Sequence, residues 1–225
     1  MKTKFMILAG IALFVAITSC TKDDGFAYSC DKEVDRWVKK NLDEIQGMTT
    51  VEFLEFSDVA VQKGVYAAFS VEQKQNVWFN KIENLLQFDW TEKERAHIES
   101  LLNVINNRDF FGVKDDVVKE QFDLASYKWI EYAKEELGWS DRVIYAVSFT
   151  PNEVYKKDNL LQVSIEIPKK QSLVKRQIEC NCDSRAIYDY CTENLKRCSY
   201  LFDNCTTNNT FCGFAWGGDC DGMCW

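Results

Sequence analysis

The amino-acid sequence predicts a mainly α protein: an N-terminal helical bundle ending in a short β-hairpin, plus a small C-terminal disulfide-rich module. Three observations predict it. Apolar residues recur at helical spacing from Asp31 to about Trp139, β-branched and aromatic runs follow, and the last 46 of the 225 residues hold eight of the ten cysteines. With 46% hydrophobic residues the chain can hold one ordinary domain and the module, and two prolines with ten glycines leave little room for a long disordered linker. The expected divisions are a signal peptide over 1–19, a tether over 20–30, a helical domain over 31–168, a basic linker over 169–179 and the cysteine-rich module over 180–225.

The first segment is processing information. Lys2 and Lys4 precede an apolar stretch over 5–17, and Ile17-Thr18-Ser19-Cys20 reads as a lipobox. That stretch is shorter than the ~20 residues a spanning helix needs, so Cys20 is the expected acylated N-terminus of a lipoprotein. Thr21-Lys22-Asp23-Asp24 resembles the export signal by which Bacteroidota lipoproteins reach the outer face of the outer membrane. The plain alternative is a solvated tether. Cys30 is left as an odd thiol in an oxidising compartment, either packed as a small hydrophobe or joining two copies of the chain.

Val34, Trp37, Val38, Leu42 and Ile45 form one apolar stripe, a helix with Gly47 as its C-cap. Thr49-Thr-Val-Glu52 reads as a capping box opening a second helix. Ser70-Val-Glu-Gln73 opens a third, with Val71, Trp78, Ile82, Leu85 and Leu86 inward. Thr91-Glu-Lys-Glu94 opens a fourth, with Ile98, Leu101, Leu102 and Ile105 inward. A fifth helix is expected over 117–137, burying Val118, Phe122, Ala125, Trp129 and Ala133 and stopping at Gly138. Residues 142–149, rich in Val, Ile, Tyr and Phe, and the alternating 161–167 read as two strands around a Pro151-Asn152 turn, a hairpin joining bundle to module, with a short terminal helix as the alternative. Lys169-Lys170 and Lys175-Arg176 follow, either a solvated basic linker or, at Lys175 and Arg176, a protease site.

The module's cysteines are Cys180, Cys182, Cys191, Cys198, Cys205, Cys212, Cys220 and Cys224. A segment this short depends on disulfides or metals. Zinc sites favour C-x2-C pairs about 15 to 20 residues apart, and no such pattern occurs, so four disulfides and no metal are expected. Each loop closed contributes about 3 kcal/mol on the chain-entropy model. The pairing stays open, because eight cysteines allow on the order of 100 connectivities.

Cys180-Asn-Cys182, Tyr188-Asp-Tyr190-Cys191, the even cysteine spacing and Cys212-Gly213-Phe-Ala-Trp216 resemble the cysteine-rich bacteriocin fulvocin C and its relatives. The resemblance covers about a fifth of the chain and departs at Gly217-Gly218-Asp-Cys220-Asp-Gly-Met-Cys224, where the family has a closer final cysteine pair. It implies a surface lipoprotein that presents a bacteriocin-like module, released by proteolysis to act on a receptor of competing bacteria. The competing expectation is a non-toxic binding or structural lipoprotein of the envelope that shares only the cysteine frame.

Catalysis is not expected. His97 is the single histidine, beside the apolar stripe of the fourth helix, and reads as packed rather than as base or ligand. Asp115 with Asp116, and Glu135 with Glu136, are adjacent and so point to different sides of a helix, unlike a glycosidase pair. Asp219-Cys-Asp221-Gly222 lacks the distal glutamate of a calcium loop, and Asn204-Cys-Thr206 and Asn208-Asn-Thr210 are chance matches to a glycosylation pattern. No cofactor is expected, and a net charge of -8 argues against nucleic acid as a partner. The module has eight aromatics, more than its own core can enclose, and Tyr200, Phe214, Trp216 and Trp225 are its candidate contact residues. Its six acidic against three basic residues disfavour lysis of membranes by a cationic surface.

Overall fold

A computed structural model describes residues 27–29, 31–112, 115–157, 160–163, 182–183, 186–190, 198–200 and 211–224. It is mainly helical, with disulfides in the C-terminal region. The first predicted helix is two: α1 (Lys32–Lys40) and α2 (Leu42–Gln46), broken at Asn41, whose backbone N–H still bonds back to Trp37 and Val38. Asp31 caps α1 by accepting from the N–H groups of Glu33 and Val34. Gly47 is the C-cap of α2 with right-handed φ of -90°, so no left-handed cap is formed there.

The Thr49 capping box opens only a short helix, α3 (Thr50–Leu54). The sequence reading missed α4 (Val59–Ala68), capped by Asp58. This helix runs close to α1 because Gly64 has no side chain: a Cβ there would lie 2.7 Å from Val34 Cγ1. Both later boxes are present as expected, Ser70 with Gln73 opening α5 (Val71–Leu85) and Thr91 with Glu94 opening α6 (Glu92–Ile105). A single 3₁₀ turn, Arg108–Phe110, leads to α7 (Asp116–Glu135), which Asp115 caps. Gly138 then adopts φ +66°, which only glycine takes without strain. Trp129 and Ala133 of α7 are buried as expected, but Ala125 is exposed.

Residues 142–149 form no strand. They belong to α8 (Asp141–Ser148), with Ser140 as N-cap, because Ile144, Tyr145 and Val147 bury against the bundle on all sides of a single short helix. Two short antiparallel strands follow, β1 (Val154–Lys157) and β2 (Leu160–Val163), with Val154 opposite Val163.

In the C-terminal region β3 (Cys198–Tyr200) pairs antiparallel with β4 (Gly222–Cys224), Cys198 opposite Cys224. Cys182 joins the far side of β4, its N–H and C=O both bonded to Gly222. Among the described residues the disulfides are Cys182–Cys198 and Cys212–Cys220, with Cα atoms 5.8 and 5.3 Å apart. Cys20, Cys30, Cys180, Cys191 and Cys205 lie outside the described residues.

One hydrophobic core takes side chains from both parts of the chain. Phe211, Phe214 and Trp216 are buried with Phe53, Tyr66, Trp78, Ile98 and Trp129 from the helices. The indole of Trp216 meets Tyr66 edge-on at 5.2 Å and Phe53 at 6.5 Å, and its N–H donates to the Phe149 carbonyl at 3.0 Å. Reaching that position requires unusual backbone: Gly213 has φ +70°, and Ala215 and Trp216 have φ of +45° and +50°. Two non-glycine residues in this region cost on the order of 1–2 kcal/mol each, which burial of a whole indole offsets.

A candidate binding cleft between the seventh helix and the cysteine-rich segment

A cleft of about 310 Å³ is lined by the N-terminal half of α7 together with Phe110, Asp183, residues 186–188, Phe214 and residues 217–219. The N-terminal half of α7 supplies one wall, because residues Asp116, Glu120, Asp123 and Tyr127 follow one another at three- and four-residue spacing and share a face. Phe214, Gly217 and Gly218 supply the other. The two glycines are needed for close approach. A Cβ on Gly217 would collide with the Phe110 ring, and one on Gly218 would lie 2.7 Å from Asp183 Oδ2 and 3.0 Å from the Cys212 carbonyl. Lys119 bridges the walls with a 3.0 Å ion pair to Asp219.

Tyr188 closes the far side. Its ring stacks on Tyr127 with centroids 6.0 Å apart and planes within 10°, and its hydroxyl donates to Glu131 at 2.6 Å. That carboxylate pushes the Tyr188 phenol up to about 12, the hydrogen bond being the main cause. Lys134 sits 4.2 Å over the same ring and pairs with Asp141 at 2.8 Å. Tyr190 donates to Asp141 at 2.6 Å and meets Phe149 edge-on. Both tyrosines of the Tyr188-Asp-Tyr190 stretch therefore tie the cysteine-rich segment to α7 and α8.

Sequence reasoning also missed buried charged residues in this part of the chain. Lys63 of α4 is 5% exposed, with Nζ 3.7 Å from Cys212 Sγ and 5.5 Å above the Trp216 ring. Its charge is answered by Asp189, whose carboxylate also accepts the backbone N–H of Asp183. Burial pushes the Asp189 carboxyl up to about 7, against the pull of Lys63 and with help from Asp183 and Asp221. Lys81 of α5 is also buried. Burial lowers its amine to about 7, and it donates to the Asn152 carbonyl at 2.5 Å. The signal in the sequence was the placement of charged residues inside apolar runs, which a stripe analysis scores as exposed faces.

Of the residues predicted to make contacts, Phe214 is 6% and Trp216 2% exposed, so neither is a surface residue: both bury in the helical core instead. Tyr200 lies in β3, and Trp225 is outside the described residues, as are Lys175 and Arg176. Asp115, Asp116, Glu135 and Glu136 are exposed, the first two capping and opening α7. His97 is packed: its ring stacks on Trp129 at 4.2 Å, and Nε2 lies 3.1 Å from the Trp129 carbonyl.

Among the described residues one group could bring three metal-ligating atoms together, Cys182, Asp189 and Cys198, within 4.8 Å of one another. The two sulfurs are bonded to each other, and a disulfide sulfur is not the thiolate that metals take. No described helix is long and apolar enough to cross a membrane. Comparison with protein-family models, curated proteins and solved structures finds no match to this chain.

Proposed function

We propose that the chain is an exported lipoprotein, held at the outer face of the outer membrane by lipid on Cys20, in which the helical bundle and the cysteine-rich segment act together as a binding unit. The observation that carries this reading is the burial of Trp216 among Phe53, Tyr66 and Phe149. A segment destined for release would expose that indole as it left and would strip the helices of part of their core. The fulvocin C resemblance then describes a cysteine frame reused for binding, and no catalytic residue is assigned. The rival reading, a tethered bacteriocin precursor with a receptor on competing cells, requires the segment to leave after a cut at Lys175 or Arg176.

The two readings separate in one experiment. The oxidised full chain, with the recognition sequence of a site-specific protease placed at Lys175-Arg176, is cut there and passed over a size-exclusion column without reductant. The binding reading expects the fragment from residue 177 onward to co-elute with the helical fragment. Elution of that fragment alone, with killing of neighbouring bacteria by it, would replace the binding reading by the precursor one.

A further inference from the structure

Seven residues after Cys20 the chain is fastened to α1: the N–H groups of Ala27 and Tyr28 both donate to Asp35 Oδ1, at 3.0 and 2.8 Å. A tether of that length reaches at most about 25 Å, whereas a domain of about 200 residues is about 40 Å across. A lipid on Cys20 therefore holds the α1 side of the domain toward the membrane and the opposite side away from it. Four of the nine residues of α1 are exposed bases, Lys32, Arg36, Lys39 and Lys40, gathered on one face by their spacing in a chain whose net charge is -8. Lys39 pairs with Asp35 itself at 2.8 Å, so the bases adjoin the point where the tether ends.

Trp37 lies among these bases, half-buried, its ring edge-on to Phe56 at 5.9 Å. Phe56 belongs to the link between α3 and α4. On the two sides of that link Val51 is 72% and Val59 38% exposed, and Leu54 is half-buried one turn after Val51. Resting on the reading of Cys20 as acylated, we propose that this face, Trp37 with Val51, Leu54, Phe56 and Val59 beside the bases of α1, docks on the phosphate-bearing lipid surface to which the chain is tethered. Indole and aliphatic groups enter the boundary between headgroups and acyl chains, while the long basic side chains lie along it and keep their charges at the phosphates. The anchor already holds the face within reach of the bilayer, so a contact too weak to recruit a free protein suffices to orient a tethered one. The domain then rides the membrane in one orientation instead of swinging on its tether.

The acylated full chain is reconstituted with phosphatidylcholine vesicles whose acyl chains carry bromine, floated, and read by tryptophan emission. Bromine is expected to quench the wild type, and Trp37→Phe is expected to abolish most of that quenching. Val51→Asp combined with Val59→Asp, both at exposed positions, is expected to reduce it as well, whereas Val117→Asp on α7 leaves it unchanged, circular dichroism confirming the fold of each variant. Floating protein whose quenching survives Trp37→Phe overturns the docking face and leaves the anchor standing. A mature chain that lacks the acyl mass at Cys20 and does not float overturns the anchor, and the docking with it. Shielding of Trp37 from aqueous iodide in the unacylated Cys20→Ser chain, growing with protein concentration, assigns the face to a second copy and overturns the membrane as its occupant.

Discussion

His97 illustrates how one residue carries a pH dependence for the whole chain. It is the single histidine, 9% exposed, stacked on Trp129 and close to the Trp139 ring at 5.6 Å. Burial lowers its pKa to about 4, only partly offset by the Trp129 carbonyl. Below about 6.5 the unfolded chain takes up a proton that the folded chain refuses until about 4, so this residue makes stability fall as pH drops through that window. Asp189 works in the opposite direction. Its raised carboxyl keeps a proton in the folded state that the unfolded chain releases above the usual carboxylate range, so its contribution is present at low pH and lost as pH rises toward about 7. Wild type and His97→Gln share the aspartate, and their difference isolates the imidazole. Urea unfolding between pH 7 and pH 4 is expected to show a steeper loss of stability on acidification in wild type than in His97→Gln. Equal slopes would mean that the ring titrates normally in the fold.

At the scale of elements, capping boxes proved the most legible signal, because they satisfy backbone groups by contacts local in sequence. The box at Thr91 does more than open α6. Glu94 accepts from the Thr91 N–H at 2.9 Å through one oxygen and from the Trp139 indole N–H at 2.9 Å through the other, so the start of α6 is fastened to the connection between α7 and α8. Thr91→Ala removes one cap and is expected to cost about 1 kcal/mol. Glu94→Ala also leaves a nearly buried indole N–H without that acceptor, adding about 1–3 kcal/mol, so it is expected to be the more damaging change in urea unfolding. Where the elements were misread, long-range packing was the reason. The stripe from Val34 to Ile45 has one period, and nothing local marks the break at Asn41. Residues 142–149 carry β-favouring side chains but are buried on several faces, so tertiary contacts override propensity. The cleft was illegible for the same cause: its carboxylates lie on α7 and its glycines about a hundred residues later, brought together by the fold alone.

For the molecule as a whole, the sequence divides sharply at the cysteines, yet the core does not. A disulfide-stapled module with its own hydrophobic centre would unfold independently of the helices. Here Phe211, Phe214 and Trp216 fill the helical core, Lys63 reaches from α4 to Cys212, and Tyr188 and Tyr190 bond to Glu131 and Asp141. The two parts should therefore melt together. Trp216→Ala removes a buried indole and leaves the Phe149 carbonyl without its donor, at a cost of about 3–5 kcal/mol. That is a large share of the 5–15 kcal/mol typical of a folded domain. Because the lost contacts are with Phe53 of α3 and Tyr66 of α4, the change should appear in far-ultraviolet circular dichroism, where helices dominate the signal, as one earlier transition in urea. A helical transition at its wild-type midpoint would show two independent units, and the cysteine-rich segment would then be free to leave.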